Sequence, residues 1–201
     1  MQDLIYTEKP KISGIKSNLD YKRDLLDLIK RDAFKRGEPT TLSSGITSDF
    51  YIDAKMVTLN PQGAFLTAKV LFEMLKNDDI DSIGGMTIGA DPIVAAFAVI
   101  SYIEKKPIRT FIVRKEPKKH GKQKWIEGPI QDIDKVVVID DVTTSGSSLI
   151  EAINVIQNHT KCSIIKAITL VDRKNGGAEK LREHNIELFS IFNKDDLFER
   201  Q

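Results

Sequence analysis

Val136-Val137-Val138-Ile139-Asp140-Asp141-Val142-Thr143-Thr144-Ser145-Gly146-Ser147-Ser148 sets four β-branched apolar residues ahead of two acids and a turn of hydroxyls around one glycine. A run that is apolar on both faces is expected of a central strand in a parallel sheet covered on both sides. The acids are predicted to end that strand, over 135–140, and the turn to enter a helix starting near Leu149. Free N–H groups at a helix N-terminus, the positive end of its dipole and neighbouring hydroxyls make a site for an anion such as a terminal phosphate. Gly146 lets the backbone come close to that anion. Two acids beside a phosphate site would repel the ligand unless they have a compensating role. They can accept hydrogen bonds from sugar hydroxyls, hold Mg²⁺, or stabilise developing positive charge. The competing reading is an N-capped helix after a strand with two solvated acids. The length of the pattern favours a ligand that combines phosphate, sugar diol and cation.

Outward from this stretch the sequence alternates strand, loop and helix. Strands are predicted at about 80–84, 108–113 and 163–171, helices near 92–103 and 147–159, and an edge strand over Ile186–Phe192. This alternation implies a doubly wound α/β core, in which ligands collect at the carboxyl ends of the strands. Upstream, Ser17-Asn18-Leu19-Asp20 reads as a capping box for a helix with Leu25, Leu26, Ile29, Ala33 and Phe34 on one face, ended by Gly37 and Pro39. Asn60-Pro61 announces a second amphipathic helix with Phe65, Ala68, Phe72 and Leu75 at spacings of three and four. Thr41 to Lys55 between them is turn-rich and then strand-like. Residues 1–16 read as a variable tail and 17–201 as one continuous domain.

The 201 residues carry 30 Lys+Arg against 29 Asp+Glu, a net charge of +1, so no global positive field draws the chain to nucleic acid or acidic membrane. One cysteine forms no internal disulfide, and Cys162 reads as a small core filler. Three scattered histidines, His120, His159 and His184, assemble no zinc cluster at the usual spacings. The charged N-terminal stretch lacks the apolar core of a signal peptide, and the longest apolar run, Ile93 to Ile100, is far short of the roughly 20 residues of a bilayer span. A cytoplasmic protein is expected, with no membrane or nucleic-acid partner. The sequon Asn158-His159-Thr160 is read as a chance match. Neither G-x-x-x-x-G-K-[ST] nor G-x-G-x-x-G occurs, which argues against P-loop hydrolysis and dinucleotide redox chemistry.

The stretch Val136–Ser148 resembles the phosphoribosyl pyrophosphate (PRPP) signature of the type I phosphoribosyltransferases. Four other segments are similar to the orotate phosphoribosyltransferase family. Thr41-Leu42-Ser43-Ser44-Gly45-Ile46-Thr47-Ser48 with the strand to Asp53 resembles its pyrimidine-pocket turn, and Ile83-Gly84-Gly85-Met86-Thr87-Ile88-Gly89-Ala90-Asp91-Pro92 its pyrophosphate turn. Val113-Arg114-Lys115-Glu116-Pro117-Lys118-Lys119-His120-Gly121 with Ile126-Glu127-Gly128 resembles its mobile catalytic loop. Leu170-Val171-Asp172-Arg173-Lys174-Asn175-Gly176-Gly177 resembles the strand end carrying its substrate-binding arginine. The motifs occur in order from about 41 to 177.

The resemblance implies a type I phosphoribosyltransferase fold: a central, mostly parallel sheet flanked by helices, with a core over about 60–192 and a small N-terminal hood mainly within 17–58. It implies transfer of the 5-phosphoribosyl group from PRPP to N1 of orotate, giving orotidine 5′-phosphate and diphosphate in UMP biosynthesis. Mg²⁺ is expected to be held mainly through substrate, with Asp140 or Asp141 as candidate contacts. The PRPP residues implied are Arg114, Lys115, Lys118, His120 and the run Asp140, Asp141, Val142, Thr143, Thr144, Ser145, Gly146, Ser147 and Ser148. Asp140, Asp141, Lys118 and His120 form the catalytic set, and Thr87 and Gly89 are candidates in the pyrophosphate turn. Orotate is expected on Thr144, Arg173 and the backbone near Tyr51 and Ile52. Because orotate is a carboxylated anion, Arg173 suits a bidentate clamp, the alternative being a surface charge. A homodimer is implied, with each catalytic loop closing over the neighbouring subunit's site. Ser43 and Gly89 stand where many members carry lysine, and Asp49 where proline is common, so those charged contacts are not carried over. The rivals are a purine or uracil salvage phosphoribosyltransferase and a PRPP-sensing regulator on the same fold.

Overall fold

In the computed structural model, which describes residues 17–41, 47–117 and 124–199, the first helix, α1 (Asn18–Leu28), starts at the predicted capping box. The Ser17 side chain accepts from the Asp20 N–H, and the Asp20 carboxylate accepts from the Ser17 N–H at 3.0 Å, an arrangement that contributes about 1 kcal/mol. A π-helical turn over Ile29–Ala33 follows, burying Ile29 and Ala33 beside Leu25 and Leu28. The helix was expected to continue through Phe34 to Gly37, but the chain becomes extended at Phe34. Phe34 opens β1 (Phe34–Thr41), paired antiparallel with β2 (Thr47–Ile52) in a separate two-stranded sheet. Tertiary packing overrides the helical spacing here, because the Phe34 ring lies against Phe50 and Phe198, with centroids 5.8 and 5.2 Å away. Pro39, which has no N–H to donate, falls in the irregular register between Arg36 and Thr40.

The helix α2 (Lys55–Thr58) leads to α3 (Pro61–Leu75), where Asn60 caps the N–H groups of Gln62 and Gly63 and Pro61 occupies the first turn as predicted. Then come β3 (Ser82–Met86), α4 (Asp91–Ile103), β4 (Arg109–Val113), β5 (Ile126–Glu127), β6 (Lys135–Thr143), α5 (Ser147–His159), β7 (Ser163–Asp172), α6 (Gly177–Glu183), β8 (Leu188–Asn193) and α7 (Lys194–Phe198). The main sheet has the order β5-β4-β3-β6-β7-β8, with every pair parallel except the short edge pair β4–β5.

The strand β6 is apolar on both faces for the reason its sequence suggests. Val137 and Ile139 join a core with Leu25, Leu71 and Phe97 from α1, α3 and α4, whereas Val136 and Val138 join Leu149, Ile153 and Leu181 from α5 and α6. The end of this strand differs from expectation. Asp140 and Asp141 lie inside β6 rather than at its end, because β7 is long enough to pair Asp140 with Thr169 and Thr143 with Asp172. The helix α5 spans Ser147–His159, the range expected for it. In β3 the chain leaves no room for side chains at two positions: a Cβ on Gly84 would lie 2.3 Å from the Phe111 ring, and one on Gly85 1.9 Å from the Ile139 carbonyl oxygen. Cys162, expected as a core filler, is half-buried, and its Sγ donates to the Gln131 carbonyl at 3.0 Å.

Candidate active site

Because β4, β3, β6 and β7 run parallel, the residues that follow them, Arg114, Thr87, Thr144 and Arg173, emerge along one edge of the sheet. At the centre of that edge lies the acid pair. Asp140 is 8% exposed, and burial, followed by the charge of Asp141, pushes its carboxyl up to about 8. Its Oδ1 accepts from the Asp141 N–H at 3.0 Å, and Asp141 Oδ1 accepts from the Val142 N–H at 2.8 Å. The turn from Met86 to Asp91 lies close against both acids, since a Cβ on Gly89 would be 2.5 Å from Asp141 Oδ1 and 3.1 Å from Asp140 Oδ1.

After β6 the chain turns into α5 through Gly146, whose φ of +75° is the left-handed conformation that favours glycine. No side chain caps α5, which leaves its first N–H groups open to an anion, and Ser147 and Ser148 are exposed there. Ser145 Oγ and Ser147 Oγ are 2.9 Å apart. Thr144 is half-buried on the same turn. The Thr143 side chain instead faces inward: it is 1% exposed, its backbone oxygen accepts from the Arg173 N–H at 2.9 Å, and its methyl packs against Gly177.

Thr87 and the base of the basic loop meet in one cleft of about 450 Å³, lined by Thr87, Asp91, Ile112, Arg114, Lys115 and Glu127. The Thr87 N–H donates to the Val113 carbonyl at 2.9 Å and its hydroxyl to Asp91 Oδ2 at 2.7 Å, which ties the turn to the end of β4 and the start of α4. Arg114 Nε donates to the Glu116 carbonyl at 3.2 Å, with Nη1 3.6 Å from Glu127. Lys115 also borders a neighbouring cleft of about 400 Å³ with Ser147, Lys180 and Trp125, the last stacked on His159. It therefore stands between the two anion-directed surfaces. Lys118 and His120 lie outside the described residues, as do Leu42 to Ile46 of the pocket turn.

On the hood side, Arg173 is 3% exposed, so the surface-charge reading is set aside. Its Nη2 donates to the Phe50 carbonyl at 3.0 Å, and its guanidinium lies 4.2 Å from the Phe50 ring centroid. Burial lowers its pKa from the usual arginine value. Tyr51 is exposed and Ile52 buried, the alternation of a strand, and the Phe50 carbonyl just before them is the group that meets Arg173. Sequence reading missed Lys55, whose Nζ is 2.8 Å from Asp53 Oδ1 and 3.9 Å from Asp141 Oδ2. The available signal was an acid and a base two residues apart, directly after the strand that carries Tyr51 and Ile52. These residues together offer a surface for a phosphate, an acid pair for a sugar or cation, a basic margin for a second anion and a buried guanidinium for a third.

A family model described as a phosphoribosyl transferase domain matches residues 87–201. The orotate phosphoribosyltransferase of Aquifex aeolicus is 39% identical over 175 residues, covering 86% of this chain and 95% of that relative. The crystal structure of the Mycobacterium tuberculosis orotate phosphoribosyltransferase in complex with Fe(III) dicitrate gives a TM-score of 0.76 at 32% identity, covering 88% of this chain and 98% of the other. The structure of that enzyme in complex with PRPP gives 0.73 at 29% identity, covering 89% and 99%.

Proposed function

This chain belongs to the orotate phosphoribosyltransferase family, and on that premise we propose how its residues share the reaction. The reaction transfers the 5-phosphoribosyl group from PRPP to orotate, a step of pyrimidine biosynthesis. N1 of orotate forms a bond to the anomeric carbon, the bond from that carbon to the diphosphate oxygen breaks with its electron pair leaving on diphosphate, and the N1 proton passes to solvent. The turn from Val142 to Ser148 takes the 5′-phosphate on the open N–H groups of α5 and the hydroxyls of Thr144, Ser145, Ser147 and Ser148. Asp140 and Asp141 take the ribose hydroxyls and stabilise positive charge at the anomeric carbon. Arg114 and Lys115, together with Lys118 and His120 of the loop, hold the diphosphate as its charge grows. Thr87 and the Gly89 backbone line that same end.

Among the described residues no group of three or more acids, histidines or cysteines is placed to hold a metal ion. Two adjacent carboxylates instead suit Mg²⁺ that arrives on the diphosphate and keeps most of its ligands from substrate and water. Bound in this way, the ion supplies charge neutralisation for the leaving group.

The observation that carries the choice of acceptor is the buried Arg173 beside the β2 backbone, because a guanidinium is the side chain that suits a carboxylate. A purine or uracil offers no such partner. Orotate consumption measured against adenine, hypoxanthine and uracil tests this reading. Turnover confined to orotate is expected, turnover of a purine or uracil would replace it with salvage, and PRPP binding without any turnover would point to a regulator.

We read the working form as a homodimer in which each loop completes the neighbouring site. Val99, Tyr102 and Ile103 are exposed apolar residues in the last turns of α4, and this supports a covered surface on that helix. No helix among the described residues is long and apolar enough to cross a membrane. The single Cys162 thiol suits a reducing compartment, so we place the enzyme in the cytoplasm.

A further inference from the structure

We propose that Lys55 is a donor-binding residue, which holds the diphosphate of PRPP from the hood side across the acid pair. The inference rests on the family reading for the identity of the donor, and on the geometry of three elements for its placement. Lys55 opens α2, directly after β2, and Asp53 anchors it twice: Asp53 Oδ1 accepts from the Lys55 N–H at 3.2 Å and lies 2.8 Å from its Nζ. The ammonium reaches over to β6 and stops 3.9 Å from Asp141 Oδ2, a charge contact too long for a hydrogen bond. An ammonium has three N–H donors, and the anchor on Asp53 occupies one. Two remain for a further acceptor.

Charge around the acid pair gives the ammonium its purpose. The pyrophosphate turn, Met86 to Asp91, carries one acid and no base, and its Gly89 lies against Asp140 and Asp141 without a side chain between. A diphosphate seated there meets three carboxylates, those of Asp91, Asp140 and Asp141. Arg114 is turned toward Glu116 and Glu127 at the other margin, and Lys115 lines the same cleft. Lys55 supplies a cation from the opposite wall, so that the diphosphate lies between two basic margins rather than on one. Arg173, on the Phe50 side of the hairpin, leaves Lys55 unneeded for the orotate carboxylate. Because the anchor is in the hood and the target is on the sheet, the same residue makes donor binding depend on the position of the hood.

Isothermal titration of PRPP with Mg²⁺ into the full chain, without orotate, reads this directly, with steady-state kinetics alongside. Lys55→Met is expected to raise the PRPP dissociation constant about tenfold or more while the orotate KM stays within about twofold, and Lys55→Arg to restore PRPP binding to within about threefold. Asp53→Asn, which keeps the ammonium but removes its anchor, is expected to weaken PRPP about threefold, and it serves if Lys55→Met fails to fold. PRPP binding unchanged in the folded variants, or a loss confined to the orotate KM, would overturn the proposal. Wild-type turnover of orotate in the same preparation tests the family reading separately, since its failure would leave the PRPP titration interpretable.

Discussion

Asp140 has a carboxyl held up to about 8 by burial and by Asp141, whereas an aspartate in an unfolded chain ionises near 3.9. Between those values the folded, unliganded protein binds a proton that the unfolded chain releases. Its contribution is therefore complete below about pH 4 and is lost as pH rises through about 8. Asp140→Asn removes this dependence, so its melting temperature is expected to gain on wild type by roughly 3 °C or more between pH 5 and 8. Parallel melting curves for the two proteins across that range would count against a buried protonated Asp140. Asp141 lies on the accessible side of the pair, facing Gly89 and Lys55. Asp141→Asn is expected to lower kcat about 100-fold with the orotate KM within about threefold, because the lost interaction is with charge that develops in the transition state. A kcat near wild type would remove Asp141 from the mechanism.

Between elements, the hairpin β1–β2 is held to the body by aromatic contacts that end at Arg173. Phe34, Phe50 and Phe198 pack with centroids 5.2 to 5.8 Å apart, and the Phe50 ring in turn carries the Arg173 guanidinium. Phe198→Ala is expected to cost about 2 kcal/mol in urea denaturation and to raise the orotate KM about threefold or more while leaving the PRPP KM alone. A stability loss with an unchanged orotate KM would make the cluster purely structural. The strand β6 and helices α3 and α5 were legible in the sequence, because Val136 to Ile139 and the Asn60-Pro61 cap carry their own local signal. Phe34 misled because its helical spacing was genuine, and only Phe50 and Phe198, distant in sequence, require it to be extended. Lys55 was overlooked for the same reason: a lysine after a strand becomes a site residue only once β6 brings Asp141 within 3.9 Å. The two extra pairs of β6 beyond Asp141 likewise depend on how far β7 extends, which no local pattern states.

For the whole molecule, a site completed by a neighbouring loop predicts complementation between two crippled chains. Asp141→Asn and Lys118→Ala, mixed in equal amounts and allowed to exchange, place both defects in one site and neither in the other in each mixed dimer. If subunits pair at random, about half the dimers are mixed, and roughly a quarter of wild-type activity is expected from two nearly inactive parents. Activity no greater than the sum of the parents would show that each chain works alone. The two adjacent glycines of β3 have a further consequence for how the sequence can drift. At Gly85 any added carbon would overlap the backbone of β6, and at Gly84 the ring and backbone of Phe111, whereas at Gly37 nothing lies within 4 Å. In a library carrying every single substitution and selected for activity, positions 84 and 85 are expected to return glycine alone and position 37 a broad mixture. Selection thus acts on the sheet's centre to keep it empty, and a narrow limit on variation in this protein falls on residues with no side chain to vary.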